Sequence, residues 1–225
     1  MNPMKQILDF LSQLSANNNR DWFNAHKDEY LKVKASVEEL TERLIAGIAQ
    51  FDEGAAALRP SQCLYRIYRD TRFSHDKTPY KDHIGIYVCP PRGKQDGHRP
   101  GYYLHLQPGN CLVAGGAWCP AADALRRIRT DIYENVEEYE SIINAPDFRK
   151  FYSEVGEDLL KTAPKGFPKD WEHIDLLKPR SYVVGTPLTD RQMCSKEMLA
   201  MVLDRMRVLK PFNDFLLYAI EPPQD

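Results

Sequence analysis

The chain predicts an α+β fold: a central, mainly antiparallel sheet of about four strands covered by N-terminal and C-terminal helices. Three observations predict it. Apolar residues recur every three or four positions before residue 52 and after residue 121. Between roughly 62 and 116 the period falls to two. Pro90-Pro91, Pro100-Gly101 and Pro108-Gly109 punctuate that middle stretch as turns would. Helices, then strands, then helices is the order expected when helices pack on one sheet. The 225 residues suit a single domain, 1–225, with a helical N-terminal part (1–52), a sheet-forming middle (60–118) and a helical C-terminal part (121–220).

The first helix follows from Asn2 as N-cap, Pro3 at the first helical position, and Ile7, Leu8, Leu11 and Leu14 on one face. Asn17-Asn18-Asn19 ends it, because asparagine side chains compete for backbone hydrogen bonds. A long helix from about Asp21 to Gln50 is expected from one apolar stripe of Trp22, His26, Tyr30, Val33, Val37, Leu40, Leu44 and Ile48. Tyr65, Ile67, Thr71 and Phe73 then alternate with Arg66, Tyr68, Asp70 and Arg72, which predicts a strand. Ile84, Ile86 and Val88 predict another. Residues 89–101 read as an exposed loop, and Pro108-Gly109 as a tight reversal between antiparallel strands. Gly115-Gly116 suggests a bulge or a close backbone approach. Leu125, Ile128, Ile132, Val136, Tyr139 and Ile143 form one helical stripe, and Pro146 opens a short helix. Residues 162–178 are expected to be mostly irregular, and 181–184 could add a strand to the sheet. Ser195 can cap a final helix that Pro211 breaks or kinks.

No apolar run reaches the roughly 20 residues of a membrane helix, and Met1 to Gln6 lack the pattern of a signal peptide. A cytoplasmic protein without membrane partners is expected. Cys63, Cys89, Cys111, Cys119 and Cys194 are scattered and form no C-x-x-C pair, so reduced, mostly buried thiols are expected and no metal site. The net charge of −2 argues against a generic nucleic-acid binder. The charge is unevenly placed. Residues 59–99 hold nine Lys/Arg against four Asp/Glu, a local +5 in a remainder of −7. That pattern suits a local anion site better than a wide nucleic-acid face.

The basic middle contains the most informative run, Arg66 to Lys81. In a strand, Arg66, Asp70 and Arg72 project to one face, while Arg69 points the other way among Tyr65, Ile67 and Phe73. Two arginines on one face make a fork-shaped donor array for phosphate, sulfate or carboxylate. Lys77 and Lys81 add point charges, and Tyr80 offers a hydroxyl or a ring face. Arg20, at a helix start, could join them. The ligand-binding candidates are Arg66, Asp70, Arg72, Lys77, Tyr80, Lys81 and Arg20. The alternative is an ion-pair network of Arg66, Asp70 and Arg72 that only pins the sheet. Asp70, His75, Asp76 and His83 could serve as bases or metal ligands, but their spacing is diagnostic of neither. No P-loop, G-x-G-x-x-G, H-E-x-x-H or G-x-S-x-G motif occurs, no cofactor is identifiable and no catalytic residue stands out.

Arg66-x-x-Arg69-Asp70-x-Arg72-Phe73, followed by Asp76-Lys77-x-x-Tyr80, resembles the signature of the bacterial conserved-hypothetical family called domain of unknown function 2461. Asn18 to Phe23, Gly101-Tyr102-Tyr103, Gly115-Gly116 with Pro120, and Pro164 to Phe167 also look like that family, so the likeness spans nearly the whole chain. The resemblance implies membership and no reaction. It makes Arg69, Phe73 and Asp76 signature positions, with Arg69 expected as a structural pin. The functional expectation is a binding or enzymatic site for a small phosphate- or carboxylate-bearing ligand on the Arg66–Lys81 segment. Alternatives are an interaction module for nucleic acid or protein, built on 92–99 with Tyr68, Tyr80, Tyr87, Tyr102 and Tyr103, and a network with no ligand. Nucleic acid is the less favoured partner.

Overall fold

The computed structural model describes residues 2–72, 74–96 and 98–221. Helix α1 (Pro3–Ala16) starts as its residues predict. The Asn2 side chain accepts hydrogen bonds from the Met4 and Lys5 amides, and Asn17 closes the helix. The expected long second helix is two helices. Helix α2 (Arg20–Ala25) is capped by Asn19, and α3 (Lys27–Ile48) follows after a break at His26, whose φ and ψ are −107° and 20°. There the His26 ring donates from Nδ1 to the Trp22 carbonyl at 2.8 Å and stacks on the Trp22 ring. The apolar stripe runs on across the break because both helices bury the same side against α1. Periodicity alone therefore does not register the kink.

A short helix α4 (Pro60–Cys63) leads to the largest departure from expectation. Residues 64–72 do not form a strand. Tyr68 and Tyr80 make an isolated bridge, supported by Arg69 N–H to the Pro79 carbonyl (2.9 Å) and Lys81 N–H to the Ile67 carbonyl (2.8 Å). Pro79 has no N–H to return. Asp70 accepts from the Arg72 amide and Asp76 from the Thr78 amide, so side chains take up donors that a ladder would need. The alternation is real, but the backbone of 64–72 finds too few partners among the described residues.

The sheet consists of β1 (Ile84–Val88), β2 (Gly101–Leu106), β3 (Cys111–Ala117) and β4 (Tyr182–Leu188), all antiparallel and in sequential order. The 181–184 stretch is thus the start of the fourth strand. Gly109, at φ 73°, makes the predicted reversal between β2 and β3. Gly116 sits at φ 105° with the Tyr182 carbonyl so near that a Cβ would meet its oxygen at 2.1 Å. The loop before β2 is less exposed than expected. Cys89, Arg99 and Pro100 are buried, and Arg99 pairs with Glu221 at 3.0 Å.

The C-terminal stripe also divides, at Asn135, into α5 (Ala122–Glu134) and α6 (Val136–Ile143). After α7 (Pro146–Arg149), residues 162–178 carry only a 3₁₀ turn at Ile174–Leu177. Helix α8 (Asp190–Met193) follows β4, and α9 (Met198–Val208) is separated from α10 (Lys210–Ile220) at Leu209, with Pro211 in the first turn of α10. Ser195 does not cap α9. Glu197 holds that position, and the Ser195 hydroxyl is buried without a partner. Helices α9 and α10 pack on β3, and α3 packs on α1 and α9. Ile86, Val88, Leu104, Leu106, Val113 and Val184 face them in one contiguous core that extends from Met4 to Ala219. Among the described residues the opposite face of the sheet carries no helical layer, and the candidate groove lies there. Among the described residues no helix is long and apolar enough to cross a membrane.

Candidate functional site

The loop 69–82 folds on itself through its own charges. Arg69 bonds Asp76 and Thr78, with the Ser74 hydroxyl at 3.5 Å. Arg72 grips Asp70 with Nε at 3.0 Å and Nη2 at 2.7 Å. These guanidinium bonds hold the Asp70 and Asp76 carboxyls down at about 2. Lys77 donates to the Thr71 carbonyl at 2.9 Å. Phe73 lies outside the described residues. Tyr80 is buried: its ring stacks on Phe23 at 4.0 Å, and its backbone pairs in both directions with the Asn18 side chain. Arg20 is exposed at the start of α2. A hollow of about 600 Å³ opens beside this loop, but Asp70, Asp76 and Asp82 line it along with Arg69 and Lys81. An anion entering it meets three carboxylates.

Arg66 and Lys81 stand apart from these pairs. Arg66 is exposed, and among the described residues it makes no hydrogen bond or ion pair. Lys81 is half-buried, its ammonium lies 5.4 Å from the centre of the Tyr65 ring, and among the described residues no carboxylate pairs with it. Burial, with the nearby Arg66 charge second, pushes the Lys81 pKa down. Lys81 is the hinge between the hollow and a second, more apolar cavity.

That cavity is a groove of about 470 Å³ across the uncovered sheet face. The strand register builds it. Tyr87, Tyr103, Ala114 and Gly185 are consecutive partners across all four strands, so their side chains share one face. The next row is Gly85, His105, Leu112 and Pro187. Gly85, Ala114 and Gly185 make a low floor, and Tyr65, Lys81 and His83 form one wall. Trp118, which is 61% exposed, and Glu157 stand at the far end. The aromatics named for an interaction module divide across the sheet. Tyr87 and Tyr103 face the groove, Tyr102 faces the core, and Tyr80 is buried under the loop.

One chain of hydrogen bonds runs along the groove's β1–β2 rim. The Tyr103 hydroxyl and His105 Nδ1 are 2.9 Å apart, and His105 Nε2 lies 3.1 Å from Gln107 Oε1. Gln107 Nε2 donates to Asp82 Oδ2 at 2.9 Å, and Asp82 Oδ1 lies 3.0 Å from His83 Nδ1. Because a carboxylate only accepts, every role in the chain is decided. Gln107 presents its amide N–H to Asp82 and its carbonyl to His105, so His105 carries its proton on Nε2. His105 Nδ1 therefore accepts from Tyr103, and His83 donates from Nδ1. The bond from His83 lowers the Asp82 pKa. Burial lowers that of His105 and raises that of Tyr103 to about 12. The two imidazoles stack with centroids 4.6 Å apart.

The sequence named Lys81 and, only as one of a loose acid–base set, His83. It named Tyr103 only among the aromatics of an interaction module and in the family likeness, and it did not single out His105 and Gln107. Their signal was present: polar residues at every second position of β2, opposite Tyr102, Leu104 and Leu106. Among the described residues no three His, Cys, Asp or Glu side chains stand where one metal ion could meet them.

A family model described as a conserved hypothetical protein, DUF2461, matches residues 6–215. Neither a curated protein nor a solved structure matches the chain. The chain belongs to the DUF2461 family.

Proposed function

We propose that this DUF2461 chain binds a small planar ligand bearing a carboxylate or phosphate in the groove on its open sheet face. The observation that carries the reading is Lys81: an ammonium without a carboxylate partner among the described residues, half-withdrawn from water, at the rim of a groove floored by Gly85, Ala114 and Gly185. A cation held in that state gains from an anion that replaces its lost hydration. Arg66 adds a second positive charge nearby. Tyr65, Tyr87, Tyr103 and Trp118 supply ring faces and edges for a flat ligand body. This retains an anion site on the Arg66–Lys81 segment but centres it on Lys81, because Arg69 and Arg72 are engaged by their own carboxylates.

Isothermal titration with benzoate and phenyl phosphate tests the reading. At least one should bind the wild-type protein, with affinity that falls as salt rises. Lys81→Gln should weaken binding about tenfold or more, the scale of a charge-assisted hydrogen bond. Binding that is unchanged in Lys81→Gln, or absent from the wild-type protein for both compounds, overturns it.

A further inference from the structure

The geometry points to His83 as a general base that activates water in this groove, for hydrolysis of an ester of the planar anion. This inference rests on the ligand site proposed above. Asp82 fixes the His83 tautomer by accepting from Nδ1 at 3.0 Å. The remaining ring nitrogen, Nε2, is then the one with a free lone pair, and among the described residues it has no hydrogen-bond partner. His83 belongs to the groove wall beside Lys81. Asp82 is itself steadied from its other oxygen by Gln107, so the acid that orients the imidazole is held on both sides.

The surrounding groups favour the basic role. His105 stacks on His83 and is kept neutral by burial, so the neighbouring ring does not oppose a proton on His83. Tyr103 has committed its proton to His105, which leaves the phenolic oxygen able to accept a hydrogen bond from a bound water. Lys81, Tyr65, Tyr87, Tyr103 and Glu157 are the other titratable groups that line the groove among the described residues. No serine, threonine or cysteine lines the groove among the described residues. A covalent acyl intermediate on an aliphatic hydroxyl or a thiol therefore has no attacking atom there, and we take water as the nucleophile.

The step balances without a redox partner. His83 Nε2 takes a proton from water as the water oxygen bonds to the ester carbonyl carbon. The carbonyl electron pair moves onto oxygen. When it returns, the bond to the leaving oxygen breaks and His83 gives that oxygen the proton. Ester and water become acid and alcohol. Lys81 holds the anionic end of the ligand meanwhile.

The probes are 3- and 4-acetoxybenzoate, with release of hydroxybenzoate and acetate followed by NMR. Binding is measured in parallel by titration, and folding by thermal unfolding. The wild-type protein should hydrolyse at least one probe above the uncatalysed rate. His83→Gln should bind the probe as the wild-type does but lose about 100-fold or more in rate. Asp82→Asn should cost at least about tenfold, because an amide can donate to Nδ1 and move the imidazole proton to Nε2. His75→Gln, on the exposed loop, should match the wild-type rate. Failure of both probes to bind overturns the ligand site and this inference with it. Binding without hydrolysis, or equal rates in His83→Gln and wild-type, overturns the general base alone. If His83→Gln does not fold, an unchanged rate in folded Asp82→Asn has the same force.

Discussion

Asn18 and Tyr80, 62 positions apart, hold each other through two hydrogen bonds: Asn18 Nδ2 donates to the Tyr80 carbonyl at 2.9 Å, and the Tyr80 amide donates to Asn18 Oδ1 at 3.1 Å. The asparagine side chain thus imitates one rung of a β-ladder. It ties the segment between α1 and α2 to the charged loop that stops short of being a strand. The same link sets Tyr80 against Phe23 and fixes where Lys81 leaves the backbone.

Asn18→Ala removes both bonds and leaves two part-buried backbone groups unpaired. We expect a loss of about 2 kcal/mol, read as a lower denaturant midpoint at unchanged slope. Asn18→Asp keeps the acceptor and loses the donor, so it should cost less. Equal stability of all three proteins would show that the pairing contributes nothing.

The loop carboxylates make an acid-side prediction. Asp70 and Asp76 titrate at about 2, below an unfolded value near the usual 3.8. A depressed folded pKa contributes stability that is fully present above about 4 and is lost as pH falls toward 2. Both groups are exposed, so the effect on global unfolding is small and the local titration is the proper readout. Carbon-detected NMR should place both midpoints near 2. Arg69→Gln should return Asp76 toward the ordinary value and leave Asp70 where it is, since Arg72 alone grips Asp70.

Tyr103 gives the alkaline counterpart. Burial raises it to about 12, so the folded state keeps its proton where the unfolded chain has begun to lose it. Its stabilising effect is complete below about 10 and disappears as pH rises through 12. Ultraviolet titration of wild-type against Tyr103→Phe should isolate this late-ionising phenol. The same substitution removes the donor to His105 Nδ1, so the neutral imidazole loses support. The His105 midpoint should rise in Tyr103→Phe, measured by NMR; a fall would contradict the tautomer drawn from the Gln107 bond.

Three glycines separate shape from stability. A Cβ at Gly116 meets the Tyr182 backbone oxygen at 2.1 Å and suffers a φ of 105°, so Gly116→Ala should cost more than about 2 kcal/mol. A Cβ at Gly85 meets only the Tyr103 and Tyr65 side chains, at 2.8 to 3.2 Å, which can shift into the groove. Gly185 has only ordinary contacts near 3.9 Å. Gly85→Ala should narrow the groove at small cost. Gly185→Phe should fold and block binding of benzoate or phenyl phosphate. Unimpaired binding in Gly185→Phe would place the ligand elsewhere.

Elements whose signals are local were legible in the residues. Asn2 and Pro3 start α1, Asn17 stops it, Pro108-Gly109 turns β2 into β3, and Pro211 sits in the first turn of the last helix. Each depends on the conformational limits or side-chain hydrogen bonds of one or two residues, and neighbours along the chain suffice to decide them. The kinks at His26 and Asn135 were not legible, because an apolar stripe keeps its period when two short helices bury the same side. The alternation at 64–73 predicted a strand, yet a strand exists only where another backbone offers partners. Pro79, Asp70 and Asp76 withhold or divert them.

By itself the sequence determined the fold class and the basic middle, and it named Lys81 as one of seven ligand-binding candidates. Only the tertiary structure decided which charges are spent on each other and which remain. Arg69 and Arg72 close on carboxylates seven and two positions away, while Lys81 is left facing the groove. Tyr103, His105, Gln107, Asp82 and His83 become one chain only because the register of β1 against β2 brings residues some 25 positions apart to hydrogen-bonding distance. Spacing along the chain carries no trace of that, since pairing between strands depends on which faces are buried together.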